Sequence, residues 1–295
     1  MNEMLNFKNI LNEEIDLTKW MTDDQMGRVK SANQFHAKLA QTIVGQGEKG
    51  LDLPWSAAKG KFCFRPSELT LWSGFKGHGK SLALSQVIEK SLTDSKDEKI
   101  FIISPEFPPH RVLHRMMIQS VGIQNMRIET MLDWLGAVES NLWLYDQQAS
   151  LKPLEVIALC RYAVQELGVT QIVIDSLMKC GIAPDDYAGQ KRFIDMVQNL
   201  AHRNELHIHL VAHARKGHDD GKIGGLHDIS GSSDIANIAE NIIFVWRNKQ
   251  KELGGGKIEE PDCIVKIEAQ RNGDGWIGSL PLWFDKSNFT FKEFA

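Results

Sequence analysis

Gly74-Phe75-Lys76-Gly77-His78-Gly79-Lys80-Ser81 satisfies the pattern G-x-x-x-x-G-K-S in full. The stretch before it, Leu69-Thr70-Leu71-Trp72-Ser73, is short, apolar and β-prone, and the stretch after it, Leu82 to Lys90, spaces its apolar residues as a helix does. Strand, glycine loop and helix in this order predict a phosphate-binding loop. The glycines let successive backbone N–H groups converge on phosphate oxygens, and the helix adds the positive end of its dipole. In such a loop Gly74, Gly77, Gly79 and Lys80 cradle a nucleotide's phosphates and Ser81 holds Mg²⁺. The side chains of Lys76 and His78 are expected to face solvent or a neighbouring subunit. A glycine-rich turn with a chance lysine is the competing reading, and the flanking strand and helix argue against it.

Working outward, a chain of 295 residues with 42% hydrophobic content suits one large α/β core with a terminal extension. Cys63, Cys160, Cys180 and Cys263 form no C-x-x-C pair, which argues against a zinc site or a disulfide framework and suits a reducing cytoplasm. No apolar run reaches the roughly 18 residues of a membrane span, and the N-terminal residues do not resemble a signal peptide. A formal net charge of −4 gives no global attraction to nucleic acid, so any DNA contact must come from local basic loops.

Residues 12 to about 44 carry amphipathic helical spacing broken at Thr22-Asp23-Asp24-Gln25, which predicts two helices. The expected organisation is a helical arm over 1–45 and a motor domain over 46–295. The arm either folds back on its own domain or docks on a neighbouring subunit. Strand-like runs then alternate with helical ones: 99–104, 142–146, 170–175, 208–213, 241–246 and 263–267, with helices over 154–167 and 193–204. That alternation predicts a mostly parallel sheet flanked by helices.

Open α/β sheets place their sites at the ends of strands. Asp175 closes an apolar strand, the position of a carboxylate that binds Mg²⁺ directly or through water, or else of an ordinary turn cap. Glu106 follows the strand that ends near Ser104 and is placed to polarise an attacking water, with an exposed loop glutamate as the alternative. His213 ends the strand that follows the one closed by Asp175, either as a γ-phosphate sensor or as a satisfied structural histidine. Arg271 lies in Gln270-Arg271-Asn272-Gly273-Asp274-Gly275, a turn tip from which an arginine reaches a neighbour's nucleotide or simply meets solvent.

Taken in order, the phosphate loop, Ser104-Pro105-Glu106, Ile172-Val173-Ile174-Asp175-Ser176, Val211-Ala212-His213, Asp228 to Ile235 and Gln270-Arg271-Asn272-Gly273 resemble the RecA-like motor of hexameric replicative helicases. The likeness is to the helicase half of T7-type phage primase-helicases and to Twinkle, with DnaB further off, and it covers roughly residues 46 to 295. It implies an α/β RecA-like P-loop NTPase core and an ATP- and Mg²⁺-dependent DNA helicase acting as a hexameric ring on single-stranded or forked DNA. The implied setting is the cytoplasm of a bacterial or phage-infected cell, with a replication primase or polymerase as further partner and no membrane. By the same resemblance Lys80 and Ser81 hold phosphate and Mg²⁺, Asp175 supports the metal and Glu106 is the catalytic base. His213 matches the γ-phosphate-sensing histidine of the T7-type branch, Arg271 the finger supplied by the adjacent subunit, and Arg247 and Phe284 the pair that sandwiches the base.

One departure stands out. The family places a lysine two residues before the finger, and this chain has Ala269 there. Either Lys266 reaches round or Arg271 works alone. DNA contacts are expected from the glycine-rich stretch 214–226, through Arg215, Lys216 and Lys222, and from Gly231, Ser232 and Ser233, whose free N–H groups at a helix start suit a backbone phosphate. A companion loop is expected over Lys179–Lys191. With no zinc-type cysteine spacing and only about 45 residues ahead of the motor, the chain is not expected to make primers. Two rivals remain: a RecA- or RadA-like recombination ATPase that forms filaments, and a loader that uses ATP only as a switch.

Overall fold

The computed structural model describes residues 29–44, 50–214, 221–229 and 233–294. The chain divides into two compact units, Met1–Lys49 and Gly50–Ala295. In the first, a 3₁₀ turn (Ala32–Phe35) leads into α1 (His36–Ile43), and every described side chain is exposed. Residues 12–28 of the predicted arm lie outside the described residues.

The second unit opens with a small antiparallel ribbon, β1 (Leu51–Asp52) and β2 (Cys63–Phe64). Then come β3 (Leu69–Ser73), α2 (Lys80–Asp94), β4 (Ile100–Ile103), α3 (Pro109–Val121), α4 (Ile128–Val138), β5 (Leu142–Leu144), α5 (Pro153–Tyr162) and β6 (Gln171–Asp175). The chain continues through α6 (Tyr187–Asn204), β7 (His207–Val211), α7 (Ser233–Ile238), β8 (Asn241–Arg247) and α8 (Lys249–Glu252). It finishes with β9 (Cys263–Gln270), β10 (Gly278–Asp285) and β11 (Thr290–Lys292). Among the described residues the main sheet has nine strands in the order β11-β10-β9-β8-β3-β7-β6-β4-β5. The strands from β8 to β5 in that order are mutually parallel, and β9, β10 and β11 add an antiparallel wing.

Period-two alternation sends neighbouring residues to opposite faces, and both faces are covered. Trp72, Ile100, Ile102 and Val173 join the α2–α3 side, whereas Leu71, Phe101, Ile103, Ile172 and Ile174 join the α5–α6 side. This accounts for the near-continuous apolar runs of β4 and β6. Helix boundaries follow local chemistry: Pro109 and Pro153 occupy first turns, where their missing N–H costs nothing. The Asp186 side chain accepts from Gly189 N at 2.8 Å to start α6. That cap corrects one expectation: the segment from Tyr187 to Lys191 is the first turn of α6, so the loop after Lys179 is shorter than predicted.

At the edge where the parallel strands begin, a buried polar network links β3, β6 and β7. Trp72 Nε1 donates to His209 Nδ1 at 3.2 Å, so His209 Nε2 carries the proton shared with Gln171 Oε1 at 3.0 Å. His207 Nδ1 lies 2.6 Å from the Arg65 carbonyl and must donate, leaving Nε2 to accept from Thr70 Oγ1 at 2.9 Å. Both rings are therefore neutral, in opposite tautomers. Burial holds His209 well below the usual histidine range and lowers His207 to about 4.

The β8–β9 ladder carries a bulge: Ile242 pairs with Ala269 but Ile243 with Ile267, leaving Glu268 extra.

Candidate nucleotide site

The ends of five parallel strands converge on one edge of the sheet. Gly74 follows β3, Glu106 lies just past β4, Asp175 ends β6, His213 lies just past β7 and Arg247 ends β8. In the loop, Gly74 has φ 146° and a Cβ there would stand 2.3 Å from the Val245 carbonyl oxygen, so only glycine passes beneath β8. Gly79, at φ 86°, caps α2 and opens it directly at Lys80.

Lys80 is buried, and its ammonium donates to the Gly74 carbonyl at 2.7 Å and the Phe75 carbonyl at 3.0 Å. Burial lowers its pKa to about 8, an effect opposed by the charges of Asp175 and Glu106. Asp175 is 5% exposed. Burial raises its pKa, while a hydrogen bond from the Ser81 hydroxyl and the charges of Arg115 and Lys80 pull it back. A hydroxyl and a carboxylate paired beside a phosphate loop fit Mg²⁺, which takes few protein ligands and completes its octahedron with phosphate oxygens and water.

Glu106 accepts from Ser176 Oγ at 2.7 Å, and its Oε1 lies 3.6 Å from His213 Nε2. The contact with His213, more than the bond from Ser176, lowers its pKa to about 2 against a smaller opposing effect of burial. The carboxylate is thus ionised at neutral pH, and it touches the residue that leads into the 214–226 stretch.

His78 corrects the sequence expectation. It is fully buried, its Nδ1 accepts the Arg247 N–H at 3.1 Å, and its ring meets Phe75 edge-on at 5.3 Å. The last N–H of β8 has no ladder partner there, and His78 supplies one. Lys76 is exposed, as expected.

Arg247 and Phe284 both stand at this edge. Arg247 Nη1 lies 3.4 Å from the Gly77 carbonyl. Phe284 packs on Phe289 and on Phe291, with ring centroids 6.0 and 5.6 Å apart, and a Cβ on Gly79 would lie 3.4 Å from the Phe291 ring. Two contributors were not singled out from sequence: Ser176, which orients Glu106, and Arg115 on α3, whose charge favours ionised Asp175 and whose guanidinium lies 5.9 Å from the Phe107 ring centre.

Arg271 is not at this edge. Cys263 pairs with Arg247 and Gln270 with Asn241, so β9 runs away from the loop and Arg271 emerges about 20 Å from it, at the opposite end of the sheet. There its guanidinium donates to the Asn237 carbonyl and, at 3.4 Å, to the Ile238 carbonyl at the end of α7. Lys266 is paired with Glu268, and Ala269 lines an open cavity of about 570 Å³ beside Arg271. Lys222 is exposed. Arg215, Lys216, Gly231 and Ser232 lie outside the described residues, and Ser233 begins α7.

Residues 59–293 match the family model described as DnaB-like helicase C terminal domain. The chain belongs to that family. Among curated relatives it is 22% identical over 273 residues to the Twinkle homolog protein, chloroplastic/mitochondrial, of Arabidopsis thaliana, covering 83% of this chain and 37% of that protein. It is 25% identical over 240 residues to the replicative DNA helicase DnaB of Geobacillus stearothermophilus, covering 76% of this chain and 52% of the relative. The chain thus spans about half or less of the curated relatives it matches. Among solved structures, one described as an ATPase domain superposes with a TM-score of 0.74 at 14% identity, over 90% of this chain and all of that one. A DnaB-like replicative helicase, described with its interactions with primase, gives 0.71 at 13% identity over 98% of this chain and 73% of its own. These likenesses agree with the mostly parallel sheet flanked by helices and with the RecA-like fold expected from sequence.

Proposed function

We propose that this DnaB-like domain is the motor of a replicative DNA helicase that hydrolyses ATP with Mg²⁺, moves along single-stranded DNA as a homo-hexameric ring and unwinds the duplex ahead. The observation that carries the reading is the division of the machinery between the two ends of the sheet. Lys80, Ser81, Glu106, Asp175 and His213 share one end, while Arg271 stands at the other. A ring places one subunit's far end against the next subunit's loop, and a filament would do so too, so closure of the assembly is part of the test.

In this reading Lys80 leaves the Gly74 and Phe75 carbonyls for the β- and γ-phosphates, and Ser81 with Asp175 holds Mg²⁺. When bound, the metal neutralises charge developing on the phosphates. Glu106 polarises the attacking water. His213, beside Glu106, registers the γ-phosphate and passes its loss to the adjoining stretch bearing Arg215, Lys216 and Lys222, which with the start of α7 holds the DNA backbone. Arg247 and Phe284 flank the base. The pairing of Lys266 with Glu268 favours Arg271 acting without a companion lysine. A primase or polymerase partner fits the primase interactions of the structural neighbour, and the cytoplasm of a bacterial or phage-infected cell is the matching location.

Forked-duplex unwinding with ATP and Mg²⁺, alongside ATP turnover with and without single-stranded DNA, tests the proposal. Unwinding with DNA-stimulated turnover and closed rings in electron micrographs supports it. Filaments that pair strands would replace it with a recombination ATPase, and one-time binding without steady turnover with a loader.

A further inference from the structure

The one-turn helix α8 has no buried residue and is too short to be stable alone. Its side chains nevertheless make paired contacts toward the nucleotide edge. Glu252 grips Arg247 through both carboxylate oxygens, one bonded to Nε and the other 2.6 Å from Nη2. With Nη1 directed at the Gly77 carbonyl, the guanidinium is tied along its rim on two sides. The adjacent Lys251 places its ammonium 2.8 Å from Asp262 Oδ1 and 2.6 Å from the Glu260 carbonyl. Asp262 Oδ2 in turn accepts the Phe284 N–H at 2.9 Å. Asn248, 7% exposed, starts the turn by accepting from Lys251 N at 3.0 Å.

We infer that α8 is a brace that sets both walls of the base slot, with Glu252 positioning Arg247 and Lys251, through Asp262, positioning Phe284. The inference rests on the reading that Arg247 and Phe284 flank the base. A guanidinium bonded along its rim keeps its flat faces free for stacking on a base. Its pairing with Glu252 also keeps that charge from competing with Lys80 for the phosphates. Consecutive residues of one turn thus fix the spacing of two walls that come from different strands.

The test compares a nucleotide that has a base with one that lacks it. Full-length protein carrying Glu252→Ala, Lys251→Ala, Lys251→Arg or Arg247→Ala is assayed for ATPase KM and kcat, with inorganic tripolyphosphate as the competing ligand. The expected results are a KM for ATP raised roughly tenfold by Glu252→Ala and roughly threefold by Lys251→Ala, kcat within about a factor of two, and an unchanged inhibition constant for tripolyphosphate. Lys251→Arg restores the parental KM. If Arg247→Ala leaves the KM for ATP unaltered, the base-slot reading fails and the brace falls with it. If Arg247→Ala raises KM while Glu252→Ala does not, the slot stands and the brace is overturned. Parallel weakening of tripolyphosphate by Glu252→Ala also overturns it, because the effect would then run through the phosphate loop.

Discussion

Replacing Arg271 by alanine separates a shared site from a self-contained one. From the pairing of Gln270 with Asn241 and of Cys263 with Arg247, the backbone of Arg271 leaves the sheet about 20 Å along the β8–β9 ladder from the edge that holds the phosphate loop. That separation exceeds the reach of an arginine side chain, so in the proposed ring any contribution of Arg271 to hydrolysis goes to a neighbouring subunit. A finger that stabilises charge on the transferring phosphoryl group is worth at least about 10³ in rate, or roughly 4 kcal/mol. Arg271→Ala should therefore bind ATP normally and lose DNA-stimulated hydrolysis by that factor, as read by a coupled phosphate-release assay. Mixing it with Lys80→Ala protein provides the sharper measurement. Lys80→Ala subunits still offer a finger and Arg271→Ala subunits still offer a nucleotide site, so interfaces with both parts intact form in mixed rings. Once co-assembly is shown by subunit exchange, ATPase recovery is expected. Full activity of the Arg271→Ala protein alone would refute the reasoning, because then no neighbour's arginine is needed.

Glu106→Gln should keep ATP affinity and lose hydrolysis by on the order of 10² or more, in single-turnover assays that separate binding from chemistry; near-parental hydrolysis would move the base elsewhere. Neutralising Arg215, Lys216 and Lys222 together should lower single-stranded DNA affinity and flatten its salt dependence while sparing basal ATPase, as titrations at several salt concentrations would show. The buried histidines predict acid sensitivity of the fold. Below pH 6.5 the unfolded chain takes up protons that folded His207 refuses until about pH 4, so stability falls across that window, by roughly 3 kcal/mol for this residue. Urea unfolding at pH 7.5 and 5 should show the loss, and His207→Gln, which cannot titrate, should lose less between those two pH values.

The phosphate loop was legible because its chemistry is local: backbone convergence needs glycine at fixed offsets, and Gly74 and Gly79 stand at them. Apolar runs long enough to be buried on both faces made β4, β6, β7 and β8 readable to within a residue or two. The wing was harder. Strand β10 carries Pro281 and a mixed pattern, and β11 is three residues that hold their place through Gln86 and Trp55, partners more than 200 residues away in sequence. Within the site, Asp175 and Glu106 could be named from strand ends. The burial of His78 could not, because it follows from one N–H left over where β8 outruns its neighbour, a fact of register that no local pattern encodes. Arg115 escaped for a similar reason, since its charge acts on Asp175 only once α3 has packed against the sheet.

The extra residue at Glu268 decides which side of the sheet Arg271 serves. Up to Ile267, odd-numbered residues of β9 point toward α2 and α3, as Cys263, Val265 and Ile267 do. Beyond the bulge the parity is reversed: Ala269 packs with the cluster that holds α6 and α7, and Arg271 follows it onto the α7 carbonyls. An unbroken ladder would have offered Gln270 to that side and turned the arginine away. Single-residue insertions or deletions in β9 thus exchange the two side chains, whereas paired changes preserve the facing and alter only the reach. If Arg271 acts as proposed, the strand can vary its length in twos over evolutionary time without turning that arginine away from a neighbouring subunit.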